Sequence, residues 1–345
     1  PIQDGGRVKP LNTYAMFTLM QLSGRRTCTN PDGVKTDSIV WLLDCLFQPD
    51  TAAKYKVFRV ENSEALSAVG MATQKKRDNY SYAELLPVRD KLIELGRQFS
   101  EKEDRVRTAI ERETVALAIN IRVFEKIVAF TDFTRERFDV SASQLLAGLY
   151  PGQKELRLSD LLRKGPQIVG LYMDLEKDAD ANKMELEALT RILQKVEFSS
   201  GSASALALFP PPPASDSLEW LTPADLTNVA FSKAPVMMSQ VELLTGLESL
   251  VESAGDMEVF KQKSGEFSNA IIRIAESRGE YGKIPLEVTY YRLKLFQRAL
   301  VLYILSFLMV ACTWLRPQSR ILSLGAFGAV ALPTILLMIG IAMRS

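Results

Sequence analysis

The chain has 345 residues, 47 % of them hydrophobic and 24 % charged, which is enough for two ordinary domains. Its net charge of +1 provides no strong electrostatic attraction to nucleic acid, so no nucleic-acid partner is predicted. Histidine is absent, and the cysteines form no Cys-x-x-Cys pair. These absences exclude a Ser-His-Asp triad and argue against a zinc or iron–sulfur site formed by this chain alone.

The first part of the chain is predicted to be mostly helical, with few strand patterns. Residues 1–10 (PIQDGGRVKP) are rich in glycine, proline and charge, and they predict an extended or turning lead-in. A short helix is predicted over 11–22, with Asn12 or Thr13 as its cap. The next elements are predicted as a buried helix over 37–47, a strand or extended link over 57–60, and a helix over 62–70.

The longest helical pattern covers residues 81–130 and is interrupted early, at Pro87. A second helical pattern covers 158–194 and is broken at 165–166, where glycine precedes proline. Charged residues of both signs alternate on the outer faces of these helices, which is typical of solvation and singles out no catalytic residue. The apolar residues of the first pattern are predicted to share one face: Val106, Ile110, Leu117, Ile121, Phe124 and Val128.

A Ser/Pro-rich loop is predicted over 199–222. It contains four consecutive prolines, 210–213, which cannot be helical and predict an extended polyproline geometry. We interpret this stretch as a semi-rigid spacer, and polyproline docking onto an aromatic partner is the alternative. Two further helices are predicted over 236–254 and 256–278, separated at Gly255.

The last part of the chain contains two apolar runs, 299–315 and 321–343, and neither has a charged residue. Each is close to the roughly 20 residues that a helix needs to cross a membrane. The five residues between them, 316–320, are too few for anything but a tight reversal. The pattern predicts two antiparallel membrane helices, the first continuing without a break from a helix that begins at Leu286. A hairpin buried in a soluble protein is the alternative, although soluble core helices are seldom apolar on every face.

The predicted fold class is therefore mostly α, a helical domain followed by a two-helix transmembrane hairpin. The predicted divisions are a helical domain over 1–198, the Ser/Pro-rich loop over 199–222, a helical continuation of the domain over 223–292, and transmembrane helices over 293–315 and 321–343.

The membrane segments offer one packing signal and no clear orientation. Gly325 and Ala329 are four residues apart, a small-xxx-small pattern that favours close approach of another helix. Basic residues occur both before the first membrane helix and in the short loop after it, so their distribution leaves the orientation open.

Cysteine spacing leaves one further question open. Cys28 and Cys45 would pair as a disulfide if their domain faces an oxidising compartment, but spacing alone does not establish this. Cys312 lies within the first predicted membrane helix.

The first fifteen residues carry a specific resemblance. The stretch PIQDGGRVKPLNTYA resembles the "P-V-Q-D-G-G-R-x-K-P-L-D-T-x-A" opening of the extracytoplasmic domain in CcsA-type (ResC/CcsB-like) proteins of system II cytochrome c biogenesis. Weaker similarities follow at residues 41–49, at 81–85 (SYAEL) and at 286–291 (LEVTYY).

The resemblance implies a bacterial inner-membrane protein whose large domain is extracytoplasmic, or periplasmic. The family handles haem through histidines and a Trp-rich loop in helices that follow a region like 340–344, and none of these ligands maps onto this chain. The resemblance thus implies the N-terminal part of a larger protein, or one piece of a split one. Such a chain would bind no cofactor itself, the haem belonging to the parent complex, which would attach it to apocytochrome c.

The implied role is an accessory, partner-docking part of a cytochrome c assembly protein, with no catalytic residue and no metal ligand of its own. The implied partners are membrane lipid, other assembly subunits or the rest of the same protein, and apocytochrome c. Arg7 and Lys9 are candidates for contact with an acidic partner or with haem propionates. The alternative is that they anchor the N-terminal arm onto the domain. The rival function is a structural scaffold subunit of a respiratory or photosynthetic membrane complex.

Overall fold

Helix dominates the computed structural model, which describes residues 1–73, 75–232, 237–315 and 319–343. The protein is 67 % helical, with few short strands, and this confirms the predicted mostly α class. The chain divides into two compact units, Pro1–Arg278 and Gly279–Ser345. The first unit therefore ends before residue 292, where the sequence placed the end of the polar domain.

Among the described residues, strands form four separate antiparallel pairs, all of them in the first unit. Each strand is only two or three residues long, so the pairs connect helices and build no sheet core. The strands are β1 Ile2–Asp4 with β2 Arg7–Lys9, β3 Thr27–Thr29 with β4 Lys35–Asp37, β5 Phe58–Val60 with β6 Asp78–Tyr80, and β7 Phe138–Asp139 with β8 Glu155–Leu156.

The helices of the first unit follow the predicted order, with additional breaks. They are α1 Leu11–Ser23, α2 Ser38–Phe47, α3 Pro49–Ala52, α4 Glu64–Ser67, α5 Tyr82–Leu85, α6 Arg89–Ser100, α7 Ala109–Val128, α8 Gln144–Leu149, α9 Leu158–Arg163, α10 Gly165–Glu176, α11 Lys183–Gly201, α12 Pro223–Ala230, α13 Met238–Glu252 and α14 Met257–Ser277. The predicted start of the α13 helix, Val236, lies outside the described residues.

The predicted helical pattern over 81–130 contains α5 before the interruption at Pro87, and after it α6 and α7, which are separated by residues 101–108. Thr108 ends the break, because its hydroxyl accepts a hydrogen bond from the Glu111 backbone N–H while the Glu111 carboxylate accepts one from the Thr108 N–H. Val106 precedes this cap and is 64 % exposed, so its predicted place on the buried face is wrong. Leu117 and Ile121 are buried there, as predicted.

The α6 and α7 helices of the first unit pack closely against each other. A Cβ added at Gly96 would lie 2.4 Å from the Ala118 Cβ, so only glycine permits this approach. Nearby, the Phe124 ring of α7 lies 5.5 Å from the Phe58 ring of β5 and 5.1 Å from the Tyr82 ring of α5, measured between centroids. These aromatic contacts join three elements in one apolar cluster.

The second predicted helical pattern breaks at Gly165 as expected, since α9 ends at Arg163 and α10 begins at Gly165. A further break between α10 and α11, over residues 177–182, was not predicted. The α11 helix then continues to Gly201, past the predicted start of the Ser/Pro-rich loop.

The polyproline stretch packs against the domain and is not a free spacer. Phe209 is fully buried, and Pro210 and Pro211 are buried beside it. The backbone of Phe209 pairs with that of Leu221, with N–H···O distances of 3.1 and 2.8 Å. The Gln240 side chain of α13 also donates to the Pro210 carbonyl at 3.4 Å. We call residues 203–221 the proline loop.

In its described part, the second unit contains three helices, α15 Ile284–Leu293, α16 Leu295–Leu315 and α17 Arg320–Ala342. The α16 and α17 helices are antiparallel, because contacts join the start of α16 to the end of α17 and the end of α16 to the start of α17. The predicted unbroken helix into the membrane is wrong, since Lys294 adopts a left-handed conformation (φ 48°) between α15 and α16. Residues 316–318 of the predicted reversal over 316–320 lie outside the described residues.

Candidate functional site

The opening segment that carries the resemblance folds as a β-hairpin. Gly5 and Gly6 form its turn with φ of 60° and 73°, and positive φ at both central residues is what a type I′ hairpin turn requires. The turn pairs Asp4 with Arg7 and Gln3 with Val8. The glycines of the motif are thus explained by backbone geometry.

Gln3 attaches this hairpin to the proline loop. Its backbone N–H donates to the Ala207 carbonyl at 3.0 Å. Its side-chain amide donates to the Leu218 carbonyl at 2.7 Å and accepts from the Trp220 backbone N–H at 2.8 Å. Together with the fully buried Ile2, these bonds fix the N-terminal arm onto the first unit.

Arg278, the last residue of the first unit, holds the proline loop from its other side. Its guanidinium donates to the carbonyl oxygens of Pro212 at 2.9 Å, Ser215 at 3.0 Å and Ser217 at 2.6 Å. The hairpin, the proline loop and the end of α14 therefore form one connected surface.

The two candidate basic residues have different surroundings. The Lys9 ammonium lies 2.7 Å from the Asp4 carboxylate of the same hairpin, so it stabilises the hairpin internally. Arg7 lies on β2 and is exposed. The hydrogen bonds of Gln3 and the burial of Ile2 attach the hairpin to the domain.

The outer edge of the hairpin is the β2 strand. Residues that flank a two-residue turn form a hydrogen-bonded pair, so the next pair, Gln3 and Val8, directs its backbone groups outwards. On the β1 side this outward N–H bonds to Ala207. On the β2 side, Val8 has no backbone partner among the described residues. The edge can accept an extended segment of another chain beside the exposed Arg7.

Cys28 and Cys45 are both free thiols, so the disulfide left open by their spacing is not formed in this structure. Burial raises the pKa of the Cys28 thiol to about 12, and the nearby Asp44 carboxylate adds to the effect. Burial likewise raises the pKa of Cys45 well above its ordinary value. Both thiols are protonated at neutral pH, which makes them poor nucleophiles.

Two carboxylates of the first unit, the half-buried Glu125 and the buried Glu248, hold helices in place. Burial acts to raise the pKa of Glu125, but two hydrogen bonds of 2.7 Å from the Arg89 guanidinium and one of 2.8 Å from the Tyr82 hydroxyl outweigh it and lower the pKa. Glu248 is fully buried and accepts hydrogen bonds from the Ser159 backbone N–H and hydroxyl at 3.1 and 2.6 Å. There burial prevails and raises the pKa of Glu248.

Within the described ranges, no three His, Cys, Asp or Glu side chains are grouped so that they would hold a metal ion. The polar contacts of Glu125 and Glu248 are made by groups that position helices.

Two helical stretches are long and apolar enough to cross a membrane, Ile284–Leu315 (α15 and α16 together) and Arg320–Ala342 (α17). Only 17 % of the most apolar window of each is buried inside the protein. Core helices of soluble proteins are mostly buried, so the alternative of a buried hairpin has no support. The protein is a membrane protein by this criterion. Large apolar side chains such as Phe307, Trp314 and Phe327 are exposed where lipid would surround them.

The small-xxx-small pair of α17 packs within the hairpin. A Cβ added at Gly325 would lie 3.3 Å from the Met309 Cε of α16. The Ala329 carbonyl accepts a hydrogen bond from the Ser306 hydroxyl of α16, which is also 2.7 Å from the Leu302 carbonyl. The close approach that this spacing predicts is therefore made to α16.

The Ser306 contact compensates for a proline. In a regular helix the N–H of residue 333 would donate to the Ala329 carbonyl, but Pro333 has no N–H. The Ser306 hydroxyl supplies the missing donor. One turn further, the Tyr303 hydroxyl lies 2.9 Å from the Thr334 hydroxyl, which in turn bonds to Val330. These polar contacts join the two helices where lipid offers no alternative partner.

Sequence reasoning missed several of these residues. Ser306 was detectable as a polar residue inside an apolar run, and Gln3 lies inside the motif. Nothing local marks Arg278 or Lys294. Comparison with protein-family models, with curated protein sequences and with solved structures finds no match for this chain.

Proposed function

We propose that this chain is the membrane-anchored, partner-docking portion of a system II cytochrome c assembly protein of the CcsA type. The first unit would lie outside the cytoplasm of a bacterium, and the α16–α17 hairpin would hold it in the inner membrane. Its partners would be apocytochrome c and the haem-handling subunits or segments of the assembly. Haem ligands would come from those partners, because this chain contains no histidine.

The observation that carries the proposal is the outer edge of the N-terminal hairpin. The segment with the specific resemblance presents the backbone of Val8 and the exposed Arg7 side by side on β2. An extended peptide that adds to such an edge gains backbone hydrogen bonds, and a guanidinium selects acidic groups next to it. Binding of this kind requires no catalytic residue, which suits an accessory role.

The test is co-purification of the full chain from membranes, with cross-linking to retain weak partners. We expect a haem-handling membrane protein and apocytochrome c in the wild-type complex. Val8→Pro removes the N–H at the outer edge without removing an intramolecular hydrogen bond, and Arg7→Glu reverses the adjacent charge. Both variants should reduce the recovered cytochrome and the holocytochrome yield at unchanged protein level.

Lys91→Glu is the matched control, because Lys91 is an exposed lysine on α6, away from the hairpin. It should leave partner recovery unchanged. If Val8→Pro and Arg7→Glu behave like this control, the edge is not the docking site. A wild-type complex without any haem-handling protein or cytochrome would contradict the assembly role and favour a scaffold subunit of another membrane complex.

A further inference from the structure

The junction of α15 and α16 has more helix than a membrane span needs. The α16 helix has 21 residues, which at 1.5 Å per residue corresponds to about 31 Å, close to the hydrocarbon thickness of about 30 Å. The α15 helix adds 10 residues before it. These residues are therefore surplus to the span and belong outside the hydrocarbon core.

Lys294 breaks the chain direction at this point. Its φ of 48° and ψ of 42° are left-handed helical values, and among the described residues it is the only non-glycine residue with positive φ. An L-residue with a long side chain adopts this conformation only when its surroundings compensate for the steric strain. The α15 helix consequently does not continue along the axis of α16.

The side chains at this junction match the chemistry of a membrane surface. Arg292, Lys294 and Arg298 are exposed, and none of them forms an ion pair within the described part of the chain. The Tyr290 and Phe296 rings, on either side of the break, lie 6.1 Å apart between centroids. Aromatic rings beside basic residues at the start of a span are typical of the lipid interface.

We propose that α15 lies in the membrane interface and that Arg292, Lys294 and Arg298 bind the phosphate groups of anionic phospholipids. Lipid is the occupant because the binding residues continue directly into α16, whose first turn must enter the membrane where α15 ends. Guanidinium and ammonium groups close to an anionic surface each contribute to its attraction. This inference is independent of the proposed role in cytochrome c assembly.

The test uses the full chain reconstituted in nanodiscs, with phosphatidylcholine alone or mixed with phosphatidylglycerol. Mass spectrometry of the lipids retained after mild extraction measures enrichment, and hydrogen exchange measures protection of residues 284–298. We expect phosphatidylglycerol to be enriched and exchange over 284–298 to be slower in the mixed discs. Arg292→Gln, Lys294→Gln and Arg298→Gln together should reduce the enrichment by roughly tenfold.

The matched control is the triple substitution of Lys75→Gln, Lys76→Gln and Lys91→Gln, which removes three exposed charges of the first unit and should leave enrichment unchanged. Equal enrichment in wild type and the junction variant would overturn the proposal. So would protection that appears only when an acidic protein is added. If the junction variant fails to accumulate, the wild-type comparison between the two disc compositions decides, and identical exchange in both overturns the inference.

Discussion

Gln3 shows how one side chain connects distant parts of the first unit. Its side-chain amide donates one hydrogen bond to the backbone of the proline loop and accepts another from it, and the loop is more than 200 residues away in sequence. The backbone N–H it satisfies belongs to Trp220, whose side chain is buried. Loss of the glutamine would remove both of these side-chain hydrogen bonds between the hairpin and the proline loop.

Substitution of Gln3 by alanine should therefore destabilise the first unit by about 1–2 kcal/mol, because two side-chain hydrogen bonds to the proline loop are lost. Urea unfolding of the purified protein in detergent, monitored by tryptophan fluorescence, measures this change. Gln153→Ala, at an exposed position, should change the free energy of unfolding by much less. Equal effects of the two substitutions would contradict the anchoring role of Gln3.

The Glu125 and Glu248 carboxylates should give the stability of the first unit opposite pH dependences. The pKa of Glu248 is raised, so the folded state holds its proton more tightly than the unfolded state, and its contribution to stability falls as pH rises above 4.5. The pKa of Glu125 is lowered, so its contribution is present above 4.5 and is lost as pH falls through the folded pKa.

Glu248→Gln and Glu125→Gln form a matched pair for this test. Relative to wild type, Glu248→Gln should gain stability as pH rises, whereas Glu125→Gln should cost about 1–3 kcal/mol at neutral pH and progressively less in acid. Free energies of unfolding across a pH series provide the measurement. A parallel pH trend for the two variants would refute the opposite pKa shifts.

At the scale of elements, a helix end could be predicted only where the sequence carries a local signal for it. The break before α7 was predictable, because Thr108 and Glu111 have the spacing of a capping box. Periodicity alone concealed it, since the apolar spacing continues through residue 106. The break at Lys294 has no such signal, because lysine rarely adopts positive φ. The α16–α17 hairpin could be predicted from the length of its two apolar runs, because membrane thickness fixes the length of a spanning helix.

The site was less predictable than the fold for a physical reason. The lead-in of residues 1–10 was predicted only as extended or turning, although Gly5-Gly6 is a strong local turn signal. Its attachment depends on Ala207, Leu218 and Trp220, and no local pattern reports contacts over such a separation. The pairing of Lys9 with Asp4 likewise appears only once the hairpin is formed.

Within the membrane hairpin, the Ser306 contact should matter only because of Pro333. Ser306→Ala removes the donor to the Ala329 carbonyl and should destabilise the hairpin by about 0.6–1.7 kcal/mol. In a Pro333→Ala background the helix N–H is restored, so the same substitution should cost clearly less. A double-mutant cycle of unfolding in detergent measures the coupling. Additive effects would show that the two residues act independently.

On the scale of the whole molecule, the two units of the chain suit different surroundings, water for the first unit and lipid for α16 and α17. The first unit buries its apolar side chains in its own core, whereas α16 and α17 expose theirs. Because α16 and α17 are antiparallel, both ends of the hairpin adjacent to α15 and to Met343 lie on one side of the membrane, and Ser319 lies on the other.

The proposed extracytoplasmic position of the first unit can be tested with single cysteines in a background where Cys28, Cys45 and Cys312 are replaced by alanine. A membrane-impermeant maleimide added to intact cells should label Ser217→Cys in the exposed proline loop. Ser319→Cys should be labelled only after the membrane is permeabilised. The reverse pattern would place the first unit in the cytoplasm.

The hydrogen bonds from Arg278 to the proline loop affect how the first unit would respond to a pulling force. Arg278 is the final residue of the first unit. A pulling force transmitted along the chain from the membrane helices would therefore reach Arg278 before any other residue of that unit. Its three carbonyl contacts would distribute that load across the loop and, through Gln3, to the opposite terminus of the unit. The force would thus act on several hydrogen bonds at once, and the C-terminal turn of α14 would resist unfolding.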